Sequence, residues 1–278
     1  MKIVSDSTAD LPESLIKEYE IEIVPLKVHF VEEVFLDWVE LKPEEFYYKL
    51  EKADMLPKTS QPSPADFAEK YKELGEDETI ISIHISSELS GTYQSAIMAK
   101  EMLPYMDIHV FDSKLASMAH GMIVIEAAKA VKAGKTKKEV LQLIDNLINR
   151  IKIYFIVDTL EYLQKNGRIG RAQAMLGSLL NIKPILTLED GIVTPKEKAR
   201  GRTKALDRLI KICKEEYGTE RQVKVALVHG NVLDEALKLK EKAEEVFQFD
   251  EAIISELGAV IGSHTGPGTV GIVIYLDC

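Results

Sequence analysis

Cysteine is almost absent from this chain, as are several features that mark particular classes of protein. Only Cys213 and Cys278 occur among 278 residues, too few for a disulfide framework or a cysteine metal cluster. No apolar run approaches the roughly 18 residues needed to span a bilayer. The opening stretch, Met1 to Asp6, reaches a charge too soon for a secretory signal peptide. We therefore expect a cytoplasmic protein with no membrane span.

The signatures of several common enzyme classes are also missing. The chain has neither a phosphate-binding glycine loop ending in Lys-Ser or Lys-Thr nor a dinucleotide-binding glycine fingerprint. It also lacks a Gly-x-Ser-x-Gly nucleophile elbow, and its six histidines show no metal-ligand spacing. A net charge of −10 argues against nucleic acid as a partner, because phosphate binding needs concentrated positive charge. We expect no cofactor, no metal and no nucleic acid.

What is present is an ordinary globular composition, 46% hydrophobic and 29% charged, in a chain long enough for two domains. Strand and helix patterns alternate up to about residue 150, which predicts an α/β domain with a doubly wound, mostly parallel sheet. The hairpin signal Glu189-Asp190-Gly191 then indicates a second α/β domain with a mixed or antiparallel sheet. We place the domains at 1–150 and 151–278.

Several local elements can be assigned with a physical reason. Ser63 with Asp66, and Thr136 with Glu139, form helix starts of the capping-box type. The apolar stretch from Ile21 to Phe30 is a strand candidate. The segment from Ala172 to Leu180 has the pattern of a hydrophobic helix, with apolar residues at Met175, Leu176, Leu179 and Leu180.

The most informative segment is the hydroxyl-rich loop Ser86 to Thr92. It follows the strand pattern Thr79 to Ile85 and leads into the helical pattern Tyr93 to Met102. A strand, a small-residue loop and a helix in this order expose amide N–H groups that bind anions. The loop contains no Lys or Arg, so it favours a weakly anionic or neutral group, such as a carboxyl group, over a polyphosphate.

Three other segments gather polar groups, namely Asp6–Asp10, Thr59–Ser63 and Gly262–Gly268. Loops that leave the carboxyl ends of parallel strands meet in one crevice, so we expect Asp6–Asp10 to join Ser86–Thr92 there. Thr59–Ser63 joins them if its loop folds back, and Gly262–Gly268 faces them across a cleft. Each has a purely structural alternative: a turn at Asp6, a helix cap at Ser63, Ser90 or Thr92, and a structural hydrogen bond at His264.

The chain resembles the DegV family of bacterial lipid-binding proteins. The resemblance covers nearly the whole chain and is carried by separated motifs in the right order, which are Ser5–Leu11, Lys58–Pro62, Ser86–Tyr93, Asp112-Ser113, Tyr162–Ile169, Ile182–Pro184 and His264–Gly266. Within these motifs Asn166 stands where the family commonly has glycine.

The resemblance implies a carrier that encloses one long-chain, palmitate-like fatty acid between its two domains and is not itself an enzyme. It implies that Thr59 and Ser90 hold the carboxyl group and that His264 lies near it. We include the neighbouring Ser60 and Gly91 in this site. The segment Ala172–Leu180 is then either a wall of the lipid tunnel or ordinary core packing.

Some family members hand their fatty acid to an ATP-dependent fatty acid kinase, so the resemblance also implies a kinase as a possible partner. An arginine after the hairpin is implicated in that docking. The matching candidates here are Arg200 and, in the same basic run, Arg202. A solvated surface explains this run equally well.

Two further functions remain open from the residues alone. Ser90 and His264, with Asp6 or Asp112 as the orienting acid, are the residue types of an acyl hydrolase or transferase. Alternatively, the crevice is degenerate and the protein is an interaction or regulatory module.

Overall fold

The computed structural model describes residues 1–177 and 182–277, whose strands form three sheets. The strands are β1 (Lys2–Asp6), β2 (Ile21–Val24), β3 (Lys27–His29), β4 (Val34–Leu36), β5 (Lys58–Ser60), β6 (Thr79–His84), β7 (Asp107–Asp112), β8 (Lys152–Ile156), β9 (Ile182–Glu189), β10 (Ile192–Arg200), β11 (Val223–His229), β12 (Ala252–Glu256) and β13 (Val270–Leu276). The helices are α1 (Glu13–Glu18), α2 (Pro43–Lys52), α3 (Pro64–Leu74), α4 (Thr92–Met102), α5 (Met118–Lys132), α6 (Lys137–Arg150), α7 (Glu161–Lys165), α8 (Arg202–Tyr217), α9 (Leu233–Glu244) and α10 (Ala259–Thr265). Short 3-10 helices span Ser7–Ala9 and Gly170–Met175.

The first sheet is parallel and has helices on both faces, as the alternating pattern predicts. Its strand order is β2-β1-β6-β7. Val4 and Ile80 pack in a core with α3 and α4, whereas Ile3 and Ile81 pack in another core with α5. Neighbouring residues of a strand point to opposite faces, so apolar residues at both positions bury this sheet on both sides.

The second sheet has the order β10-β9-β8-β13-β11-β12 and is mixed, as expected. Its only parallel pair among the described residues is β11 with β12. The hairpin between β9 and β10 turns at Asp190 and Gly191, whose φ angles are 52° and 82°. Such positive φ values suit the tight turns that join antiparallel strands.

The single strand predicted from Ile21 to Phe30 is wrong. The chain divides there into β2, which joins the parallel sheet, and β3, which lies in a separate antiparallel sheet of order β4-β3-β5. Pro25 lies at the division, and a proline has no N–H to continue a ladder. This change of sheet brings β5, with Thr59, beside β3.

Helix α5 lies between the two large sheets, since it packs against β1 and β6 on one side and against β11 and β13 on the other. The two halves therefore share one continuous apolar core. The division into domains 1–150 and 151–278 stays a prediction. No helix in the described ranges is both long and apolar enough to cross a bilayer.

The capping boxes are present as predicted. Ser63 accepts a hydrogen bond from the backbone N–H of Asp66 and begins α3, and Thr136 does the same with Glu139 at α6. The helix predicted over Ala172–Leu180 begins instead as the 3-10 helix Gly170–Met175, in which Ala172 and Met175 are core residues. Leu179 and Leu180 lie outside the described residues.

Candidate functional site

An apolar cavity lies between the loops of the first sheet and the inner face of the second. Most of the lining side chains are aliphatic or aromatic, and they come from both halves of the chain: Leu26, Ile85, Leu89, Ala116, Ile153, Phe155, Leu163, Leu188, Val193, Val228, Leu257, Val260 and Ile261. The polar lining residues are Thr59, Gln61, Ser90, Ser117, Arg168, His264, Thr265 and Thr269.

Thr59 and His264 meet at the wall of this cavity. Thr59 Oγ1 lies 2.9 Å from His264 Nε2, although the residues are 205 positions apart in sequence. The antiparallel pairing of β5 with β3 presents Thr59, and α10 presents His264 near its last residue. The structure thus brings together two of the predicted site residues and gives His264 a hydrogen-bond partner.

Ser90 lines the same cavity from the loop between β6 and α4. Its Oγ lies 2.8 Å from Thr92 Oγ1 and 3.4 Å from the backbone N of Thr92. Gly91 forms the start of α4, and a β-carbon there would lie 2.5 Å from Gln61 Nε2. A larger residue at position 91 would displace the end of the Gln61 side chain, which lies against this glycine.

The Ser86–Thr92 loop is also tied to the second sheet. The Ser86 hydroxyl donates to the carbonyl oxygen of Gly191 over 2.9 Å, which joins the loop to the tip of the β9–β10 hairpin. Ser87 and Asp112 form a separate contact on the exposed side, where the Ser87 hydroxyl donates to the carboxylate over 2.6 Å. These contacts anchor the loop and leave Ser90 facing the cavity.

Arg168 is a lining residue that sequence reasoning missed. Its Nε donates to the Leu89 carbonyl over 3.0 Å and its Nη1 to the Asn166 carbonyl over 2.8 Å. The loop Ser86–Thr92 has no cation of its own, but the fold brings this one beside it from another part of the chain. The signal available in the sequence was the position of Arg168 directly after a glycine, within the family motif Tyr162–Ile169.

The electrostatics of the cavity keep His264 uncharged. Burial, and then the positive charges of Arg168 and Lys58, lower its pKa from 6.5 to about 3. The Nδ1 atom of His264 is enclosed and has no hydrogen-bond partner among the described residues. At neutral pH the imidazole is therefore a neutral hydrogen-bonding group beside a permanently charged guanidinium.

The remaining predicted residues lie elsewhere. Ser60 points away from Thr59, and its hydroxyl lies 2.8 Å from His29 Nε2. Arg200 is exposed at the end of β10. Arg202 is held in place by Asp158, Glu235 and the carbonyl of Gly268, so its side chain is engaged within the fold.

Neither acid suggested for a catalytic triad contacts His264. Asp112 bonds to Ser87 and to the backbone N–H of Lys114. Asp6, contrary to its expected place in the crevice, is fully buried and lies 3.0 Å from His84 Nδ1, while His84 Nε2 lies 2.7 Å from Ser82 Oγ. This Asp-His-Ser arrangement is enclosed in the first sheet, where no substrate can reach Ser82.

Two buried carboxyl groups hold the start of α10, the helix that presents His264. Asp10 accepts a hydrogen bond from the backbone N–H of Gly258 over 2.9 Å, and Asp37 accepts one from Ala259 over 2.9 Å. Burial raises the pKa of Asp10 to about 8 and that of Asp37 to about 7. Ser117, a cavity residue, donates to the second oxygen of Asp10 over 2.6 Å.

These pKa values predict that stability falls as the pH rises from 6.5 to 8.5. An unfolded chain releases the protons of Asp10 and Asp37 near pH 4, whereas the folded protein holds them up to about pH 7–8. Folding therefore binds protons throughout this window. The buried histidines whose pKa is lowered change the pH dependence of stability mainly below about pH 6.5, where the unfolded chain protonates them.

We expect the free energy of unfolding to fall by roughly 1–3 kcal/mol between pH 6.5 and pH 8.5, as urea unfolding curves would measure. In Asp10→Asn, which mimics the protonated acid, a large part of this slope should disappear. Asp77→Asn, at an exposed position between α3 and β6, is the control. An unchanged slope in Asp10→Asn would show that Asp10 does not retain its proton.

Comparisons with known proteins agree with this architecture. Residues 1–277 match the model of the DegV family, whose members are described there as uncharacterised proteins. Protein DegV of Bacillus subtilis is 37% identical over 272 residues, which covers 97% of each chain.

Solved structures are also similar over nearly the full length. A DegV family protein from Thermus thermophilus, described for its fatty acid binding, has a TM-score of 0.93 at 39% identity and 99% coverage of both chains. DegV from Bacillus subtilis, described as a fatty acid binding protein, has a TM-score of 0.90 at 35% identity, again with 99% coverage of both. A stearic acid-binding protein from Eubacterium ventriosum has a TM-score of 0.91 at 27% identity, with 99% of this chain and 98% of that one covered. With a family match over residues 1–277 and a relative 37% identical along almost its entire length, this chain belongs to the DegV family.

Proposed function

We propose that this protein binds one long-chain, palmitate-like fatty acid and acts as its carrier rather than as an enzyme. The observation that carries the proposal is the composition of the cavity, which is mostly apolar and has Thr59, Ser90, Arg168 and His264 among its polar lining residues. A ligand with one polar end and a long apolar tail matches such a site. The fatty acid binding described for similar structures supports the same conclusion.

The polar groups suit a carboxylate head group. A buried carboxylate is costly unless donors meet it, and the hydroxyls of Thr59 and Ser90 can donate two hydrogen bonds. Arg168 supplies a positive charge, and a planar guanidinium is well matched to a carboxylate. Since His264 is neutral, it adds hydrogen bonding without a second charge. In this proposal Gly91 leaves room for the Gln61 side chain beside the Ser90 loop, while Ser60 supports β5 through His29.

The tail supplies most of the affinity. Each buried methylene contributes about 0.8 kcal/mol, so some 15 methylenes give roughly 12 kcal/mol before the cost of association. A neutral hydrogen bond to the head group adds only about 1 kcal/mol. The head-group residues therefore mainly determine which end of the ligand meets the polar wall.

The test is to denature the protein as purified from an expressing cell, extract it and identify the released lipid by mass spectrometry. We expect about one long-chain fatty acid per chain. Protein that releases none, and takes up no added palmitate after delipidation, contradicts the proposal. Hydrolysis of an activated acyl ester that is lost in Ser90→Ala would instead favour an acyl hydrolase, for which the shared cavity of Ser90 and His264 is the supporting feature.

Removing either hydroxyl should weaken the head-group contact without unfolding the protein. We expect Thr59→Val and Ser90→Ala each to raise the Kd for palmitate about 2- to 10-fold, the effect of one lost hydrogen bond. Calorimetric titration measures the Kd, and thermal unfolding checks stability. Ser87→Ala is the matched control, because Ser87 lies in the same loop but bonds to Asp112. If Thr59→Val and Ser90→Ala bind palmitate as tightly as Ser87→Ala does, Thr59 and Ser90 are not part of the site.

We further propose that the loaded protein presents its fatty acid to an ATP-dependent fatty acid kinase. The exposed Arg200 at the end of β10 is the docking candidate, whereas Arg202 is engaged by Asp158 and Glu235. We expect acyl phosphate to form when such a kinase and ATP are added to the loaded protein, and Arg200→Glu to slow it. Lys138→Glu, on the exposed start of α6, is the control. An equal rate in Arg200→Glu would exclude docking through Arg200.

A further inference from the structure

We propose that Asn166 is a positioning residue that holds the head-group residues in one arrangement. This inference rests on the proposed function, because it concerns the same carboxyl site. Asn166 follows α7 directly and is 5% exposed. Asn166 is not among the described residues that line the cavity, so its effect on a ligand passes through its neighbours.

The side chain of Asn166 uses both of its ends. Its Nδ2 donates to the carbonyl of Ser263 over 2.7 Å and to the carbonyl of Pro57 over 3.3 Å. Its Oδ1 accepts a hydrogen bond from Lys58 Nζ over 2.9 Å. One amide group thereby joins the segment that enters β5 to helix α10.

Two of these contacts, those to Lys58 and Ser263, end next to a residue of the proposed site. Lys58 precedes Thr59, and Ser263 precedes His264. The backbone carbonyl of Asn166 adds a further link, since it accepts the hydrogen bond from Arg168 Nη1 over 2.8 Å. Arg168 in turn bonds to the carbonyl of Leu89, the residue before Ser90. All four polar groups of the proposed head-group site are thus connected through position 166.

The amide matches the groups that surround it in this chain. Two carbonyl oxygens face the side chain from one side and an ammonium group from the other, so the residue must donate twice and accept once. Aspartate keeps the acceptor for Lys58 but sets an oxygen against the carbonyls of Ser263 and Pro57. Alanine removes all three hydrogen bonds. The segments that carry Thr59 and His264 are then no longer joined through position 166.

The experiment compares palmitate with hexadecanol, which has the same tail but no carboxylate, as ligands of the delipidated full-length protein. In Asn166→Ala we expect palmitate affinity to fall about tenfold and hexadecanol affinity to change by less than about twofold. Asn149→Ala is the matched control, because Asn149 Nδ2 also donates to a backbone carbonyl, that of Asp145, but lies at an exposed position of α6. It should leave both affinities unchanged.

A second readout follows the imidazole directly. Nitrogen-15 spectra of histidine-labelled protein, with the His264 signals assigned through His264→Gln, should show changed His264 resonances in Asn166→Ala. If that variant does not fold, Asn166→Asp carries the same two measurements, with the same selective loss expected. Palmitate and hexadecanol affinities that fall equally, or His264 signals that stay unchanged, overturn the positioning role. A wild-type protein that binds no palmitate would instead refute the proposed function.

Discussion

Replacing Arg168 with glutamine is expected to raise the Kd for palmitate about 10- to 100-fold, which corresponds to the loss of a hydrogen bond to a charged group. Among the described residues that line the cavity, Arg168 is the only lysine or arginine. His264 cannot replace its charge, because the pKa of the imidazole is about 3. The carboxylate would then be buried with neutral donors alone, which is costly.

Isothermal titration at neutral pH measures this effect, and Arg171→Gln is the matched control. Arg171 lies three residues further along but is half exposed, with ion pairs of 3.7 to 3.9 Å to Asp190 and Glu189. Exposed pairs of this kind contribute little, so we expect its Kd to stay within about threefold of wild type. Similar losses in the two variants would mean that Arg168 is not the counter-ion of the ligand.

The second large effect concerns stability. We expect Asp6→Ala to lower the free energy of unfolding by about 3–5 kcal/mol, because it breaks a buried network and leaves its partners unmatched. Asp6 accepts hydrogen bonds from the backbone of Thr8 and Ile85 and lies 3.0 Å from His84 Nδ1. Burial alone would raise the pKa of Asp6, but the His84 hydrogen bond and the charge of His120 outweigh it and lower the pKa to about 2.

Asp107 provides a control with the same pKa in a different environment. Hydrogen bonds from Lys137 and then Thr79 lower the pKa of Asp107 to about 2 as well. Its side chain is 45% exposed, so water screens these contacts and Asp107→Ala should cost less than about 1 kcal/mol. Urea unfolding of both variants at pH 7 makes the comparison. If both variants lost a similar free energy of unfolding, burial would not strengthen the contribution of the Asp6 network.

The pH dependence of the Asp6 contribution has a definite sign. A carboxyl group with a lowered pKa stabilises the fold above its ordinary value near 4 and loses that effect as the pH falls towards 2. The difference between wild type and Asp6→Ala should therefore be constant above about pH 5 and shrink in acid. This trend is opposite to that of Asp10, whose stabilising proton is lost as the pH rises towards 8.

Much of the fold follows from short-range patterns in the sequence. The alternation of strands and helices predicts a parallel sheet covered on both faces, and Val4 and Ile3 show it by packing into different cores. Ser63 and Thr136 begin helices because a side-chain oxygen within a few residues satisfies free N–H groups. Asp190-Gly191 turns a hairpin because both residues accept a positive φ.

The places where sequence reasoning failed depend on contacts between distant segments. The run Ile21–Phe30 looks continuous, yet the strand partners available on either side of Pro25 belong to different sheets. Asp6 has the features of a crevice residue, but His84, 78 positions away, binds it inside the sheet. In the sequence Arg202 resembles its basic neighbours, but in the structure its side chain bonds to Glu235 and Asp158.

The proposed carboxyl site depends on both kinds of information. Hydrogen-bonding groups at Thr59, Ser90 and the glycine-flanked His264 could be predicted from the sequence, because residue type and local loop chemistry depend on a few neighbouring positions. The position of Arg168 beside them, the neutral state of His264 and the link through Asn166 all arise from the packing of distant segments. A charge and a pKa depend on burial and on groups far away in sequence, and those quantities exist only once the sheets have packed.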